Sequence, residues 1–122
     1  MPRLHYLKEN LAATATVAMS LLPYGGGEYY AQRTGRVRSI TAFLTEPRTA
    51  GTLTVKVTKN GVAQAALNLT FDAAATQFNE AYGDRDDLTF VAGERLGVQA
   101  VTSGLGPTTS DAIAILDIDE GV

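Results

Sequence analysis

The residues with the clearest chemical potential are tyrosines and arginines near the start of the chain. Tyr24, Tyr29 and Tyr30 stand close to Arg33, Arg36 and Arg38. Rings beside guanidinium groups can stack on single-stranded nucleic acid or on sugars. The same residue types are enriched at protein interfaces. The net charge of −3 favours a protein partner over nucleic acid. His5 is the single histidine, so any imidazole metal site or Ser-His-Asp triad has to use it. No partner motif matches it. Asp84, Asp86 and Asp87 share one turn, and hard cations need several oxygen ligands. Arg85 interrupts the cluster, and no acidic residue follows where a calcium loop would end. A solvated turn is the better reading. Gly25-Gly26-Gly27 could offer backbone N–H groups to a phosphate, but Glu28-Tyr29-Tyr30 follows instead of a Lys-Ser/Thr pair. That stretch reads as a hinge. Asn68-Leu69-Thr70 matches a glycosylation acceptor but falls inside an expected strand, where it reads as accidental. The chain has no cysteine, which removes disulfides, thiolate ligands and a Cys nucleophile. The sequence therefore points to no enzyme, no cofactor and no metal.

The elements that position these residues read as short strands. Residues 51–71 form the clearest unit, a β-hairpin. Leu53, Val55 and Val57 alternate with threonines and Lys56, the period of a strand with one buried face. Asn60-Gly61 supplies the turn, and Leu67, Leu69 and Phe71 mark the return. Before it, residues 12–22 read as a first strand. Arg36 to Thr45 reads as a second, with Ile40, Ala42 and Leu44 beside Arg38 on one face and Val37 and Phe43 on the other. Both faces are partly apolar, as in a central strand or one at a subunit contact. After the hairpin, Asp72 to Thr76 suits a capped helical turn. Thr76 to Tyr82 reads as a strand with Phe78 inward. Leu88 and Phe90 form a short apolar piece, Arg95 to Thr102 alternates, and Ser103 to Ser110 is a loop by composition. Asp111 to Asp119 is the last strand, with Ile113, Ile115 and Asp117 opposite Ala112, Ala114, Leu116 and Ile118. About 7–8 short strands with Gly, Pro and Asn-Gly punctuation predict an all-β antiparallel sandwich or barrel.

At 122 residues, one domain is expected. The expected division is an extended N-terminal arm over residues 1–11 and a single β-sandwich over 12–122. Hydrophobic residues make up 45% of the chain, but much of that is alanine and there is no tryptophan. Such a thin core would gain from oligomerisation. Residues 1–38 carry five basic and two acidic side chains, whereas residues 39–122 carry five basic and eleven acidic ones. A basic start on an acidic body suits a docking arm. Leu11 to Leu22 is too short and too interrupted for a membrane span, and Glu9 precedes it. No membrane role and no export signal are expected.

Thr52 to Asp119 resembles small jelly-roll modules of tailed-phage virion proteins. The pieces that carry the likeness are Thr52 to Val62, Val91 to Leu96, and Asp111 to Asp119. Related modules occur in capsid decoration (cement) proteins, in fibres, and in the trimeric C1q/TNF-like group. The resemblance implies an antiparallel β-sandwich of jelly-roll type with no catalytic residues. It implies a homotrimer on the outer surface of an assembled phage head, made in the host cytoplasm, with the major capsid protein as partner. Candidate protein-interface residues are Arg3, Leu4, Tyr6 and Lys8 on the arm, with Tyr29, Tyr30 and Arg33 beyond it. The alternative is a receptor- or carbohydrate-binding head module of a phage fibre, using an aromatic platform drawn from Tyr24, Tyr29, Tyr30 or Tyr82.

Overall fold

The computed structural model of the chain describes residues 3–22, 28–72, 78–82, 88–108 and 110–120. These residues form twelve strands: β1 (Arg3–Lys8), β2 (Ala15–Ala18), β3 (Ser20–Leu21), β4 (Tyr29–Tyr30), β5 (Gly35–Leu44), β6 (Ala50–Lys59), β7 (Val62–Ala63), β8 (Leu69–Phe71), β9 (Phe78–Tyr82), β10 (Thr89–Phe90), β11 (Arg95–Gly106) and β12 (Ala112–Glu120). Every pairing is antiparallel. The first sheet runs β3-β1-β12-β5, with β9 and β10 sharing the far edge of β5. The second runs β11-β6, with β2 and β4 sharing the outer edge of β11 and β7 and β8 that of β6. The expected antiparallel sandwich of jelly-roll type is the fold that forms.

The core lies between the sheets. Leu4 and Tyr6 of β1, Ile40 and Leu44 of β5, and Leu116 and Ile118 of β12 face Leu53, Val55 and Val57 of β6, Phe71 of β8, and Leu96 and Val98 of β11. Each large side chain buried this way contributes about 1.5–3 kcal/mol. The hairpin turn is as read: Asn60 and Gly61 both take positive φ, 54° and 81°, which matches the twist of the flanking strands.

Four expectations are corrected. Residues 1–11 are not an arm outside the sandwich. Arg3–Lys8 is a strand with β12 on one side and β3 on the other. Its mixed residue types hid an alternation in which only Leu4 and Tyr6 point inward. The run 12–22 is two strands, because the chain leaves the second sheet at Met19 and joins the first at Ser20. Val37 lies inside and Phe43 outside. A register shift opposite Asp117 and Ile118 adds a residue to β5 and reverses which positions face in. Ser103 to Gly106 continues β11 rather than looping, across an irregularity in its pairing with β6. The expected helical turn at Asp72 to Thr76 lies largely outside the described residues. So do Asp84, Asp86, Asp87, Tyr24 and the three consecutive glycines.

Candidate functional site

On the outer face of the first sheet, Phe78 is exposed and Leu7, Phe43 and Ile113 are half-buried. Strand register fixes which residues stand abreast there. Leu7 pairs with Ile113, Ile113 with Phe43, and Phe43 with Phe78, giving one apolar row across β1, β12, β5 and β9. Phe78 is 58% exposed, against the expectation that it points inward. Its register opposite the outward Phe43 puts it on the outer face. The next row runs His5, Ile115, Thr41 and Glu80, with exposed Leu22 donating its N–H to the His5 carbonyl at 2.8 Å. Beyond it the face becomes charged. Arg3 pairs with Asp117, and Arg36 with Asp119. The β5 irregularity brings a second arginine to the same carboxylate: Asp119 lies 3.7 Å from Arg36 and 4.0 Å from Arg38. One Asp117 oxygen, Oδ1, is buried without a hydrogen-bond partner.

The interface residues expected from the sequence are split between surfaces. Arg3 is exposed at the charged end of this face, and Lys8 is half-buried at the other end of β1. Leu4 and Tyr6 are core residues, so they are corrected as contact candidates. The Tyr6 hydroxyl crosses the sandwich and donates to the Leu96 carbonyl at 2.8 Å. Burial, with the Glu28 charge nearby, pushes that hydroxyl well above the ordinary phenol range.

Tyr29 and Arg33 are brought together by a residue that sequence reasoning missed, Glu120 at the end of β12. The Tyr29 hydroxyl donates to Glu120 Oε1 in a short hydrogen bond. The N–H groups of Gln32 and Arg33 donate to Oε2 at 3.0 and 3.2 Å. One carboxylate thus holds the segment after β4 against the first sheet. Burial, then the bond to Glu120 and its charge, push the Tyr29 hydroxyl up to about 12. Tyr30 is 63% exposed and the Arg33 side chain is exposed, so both remain available for contact. His5 is exposed on the apolar face. Among the described residues no group of His, Cys, Asp and Glu could hold a metal ion.

The apolar row was missed as a site, yet its signal was present. The strands with apolar residues on both faces, Gly35–Leu44 and Ala112–Glu120, supply its centre. One face fills the core; on the other, Leu7, Ile113 and Phe43 are half-buried and Phe78 is exposed. Contiguous exposed apolar surface of this kind marks interaction sites.

No family model matches the chain, and no curated protein does. Among solved structures it is similar to the globular domain of zebrafish complement 1qA protein, at 14% identity over 96% of this chain and 94% of that one, with a TM-score of 0.52. It is also similar to carbohydrate-binding module CBM36 in complex with calcium and xylotriose, at 17% identity over 98% and 100%, TM-score 0.47. A third is Eiger TNF from S. frugiperda, at 14% identity over 98% and 94%, TM-score 0.46. The complement likeness shows a shared fold and no more.

Proposed function

We propose that this chain is a non-enzymatic structural module that assembles with copies of itself through the outer face of the first sheet. The observation that carries this reading is the row Leu7, Ile113, Phe43 and Phe78. An apolar row four strands wide, graded into arginines and aspartates, has the layout of an interface with a dry centre and a polar margin. The copy number we propose is three.

The setting we propose is a phage head, with the chain as a capsid decoration protein on the outer surface. The resemblance of Thr52 to Val62, Val91 to Leu96 and Asp111 to Asp119 to phage jelly-roll modules supports it. The major capsid protein would then be the partner. With the apolar face turned to sister copies, exposed Tyr30 and Arg33 are the candidate capsid contacts. Binding the assembled shell and not its free subunits would stabilise the shell by mass action. Three joined copies would add avidity.

Light scattering on the purified chain tests the assembly. The expected mass is that of a trimer, reduced to a monomer when Phe43 and Phe78 are both made threonine. A wild-type protein that stays monomeric at every concentration would remove the trimer from the proposal.

A further inference from the structure

A cleft of mixed polar and apolar lining, with Ala18, Met19 and Val98 among its walls, lies at the other sheet, away from the apolar row. Two short strands share one edge of β11: β4 pairs with Arg95 and Leu96, and β2 with Gln99 to Thr102. Among the described residues, neither strand pairs with Gly97 between them. The Met19 N–H reaches the Val98 carbonyl at 2.8 Å as the chain leaves for the first sheet. The result is a cleft of about 280 Å³, lined among others by Ser20, Glu28, Thr58, Gly97 and Gln99.

Gly97 is its floor. A Cβ there would lie 2.7 Å from Thr58 Oγ1 and 3.0 Å from both Cγ and Oε2 of Glu28, so these two side chains close in over a residue that has none. Glu28 Oε1 is 3.4 Å from Arg95, while Oε2 is buried and has no hydrogen-bond partner. A buried acceptor left this way is costly, and any ligand that donates to it recovers part of that cost.

The geometry points to a binding site for a small neutral polyhydroxylated ligand, the size of one sugar ring. The Glu28 charge is already met by Arg95, so what Oε2 lacks is a donor rather than a counter-charge. A ligand hydroxyl fits that need better than a second cation. Thr58, Ser20 and Gln99 supply neutral donors and acceptors around the same space. The volume lies near the lower end of small-ligand pockets. Exposed Tyr30 pairs with Arg95, two residues from Gly97 on the same face. Oε2 has no exposed surface in the empty cleft, so a small turn of the Glu28 side chain accompanies binding. This site shares no residue with the apolar row, and its existence does not depend on the assembly.

The test is an NMR titration of the full chain with neutral monosaccharides (glucose, galactose, mannose and xylose) and, separately, with methylamine. The expected result is saturable shifts of the Ser20, Gly97 and Gln99 amides with at least one sugar. Affinity should fall about tenfold or more in Glu28→Gln and in Thr58→Val, with melting curves confirming that both variants fold. No shift with any sugar overturns the proposal. So do shifts confined to other residues, or sugar binding unchanged in both variants. Saturation by methylamine alone overturns the neutral ligand class.

Discussion

The outer faces of the two sheets are built on the same plan and carry opposite chemistry. On the first, one cross-strand row reads Leu7, Ile113, Phe43, Phe78. On the second, the matching row reads Thr16, Val101, Thr54, Thr70 across β2, β11, β6 and β8. Both rows stand on strands whose inner residues fill one core. The threonine row is what a sheet facing water requires. The apolar row leaves Phe78 exposed and Leu7, Phe43 and Ile113 only half-buried. The difference teaches that alternation reports burial within a chain, while the content of the outward positions reports burial against something else.

Removing residues 1–8 should break the comparison altogether. It takes away Leu7 and the strand between β12 and β3, and with them the buried Leu4 and Tyr6. Circular dichroism should show an unfolded chain at room temperature, where a detachable arm would have left a folded one. Converting the first face to the second, with Phe43→Thr and Phe78→Thr together, should abolish self-association. Sedimentation should show at least a hundredfold weaker assembly, because central aromatic residues carry most of an interface's energy. The reciprocal change sharpens the contrast: Thr54→Val with Thr70→Val should leave the mass unchanged.

Two further changes test the ties between the sheets. Tyr6→Phe leaves the Leu96 carbonyl without its donor and should cost about 1–3 kcal/mol in urea unfolding. Tyr29 is the weaker tie, and it titrates. Its folded value, about 12, lies above the ordinary 10, so the folded state holds that proton more tightly. Its contribution is complete below pH 10 and is lost as pH rises toward 12. Tyr29→Phe should flatten part of the fall in melting temperature over that window.

Much of this fold was legible because local chemistry decided it. Asn60-Gly61 permits the positive φ of a tight hairpin, and the threonine-valine alternation of Thr52 to Thr58 leaves one buried face. What stayed hidden was decided by distant partners. Arg3–Lys8 looks irregular until β12 is placed beside it. The extra residue in β5 moves Val37 to the face opposite Phe43 without any Gly or Pro to announce it. Ser103 to Gly106 has the composition of a loop, and pairing with β6 holds most of it as strand. For the candidate surfaces, the two-faced strands were visible, but which of their faces lay outside was not. Glu120 gave no signal, since its role depends on a loop nearly ninety positions earlier reaching the end of β12.

The pairing of β1 with β12 joins residues from the two ends of the sequence, Arg3 opposite Asp117. A ribosome makes them far apart in time. At ordinary elongation speeds β1 waits on the order of ten seconds for its central neighbour. During that interval Leu4 and Tyr6 have no sheet to enter, and the aromatic row has no β12 at its centre. Closure of the first sheet therefore waits until β12 has been made, and the surface proposed for assembly comes into being only with it. Copies of this chain would meet through this face only after β12 has joined β1.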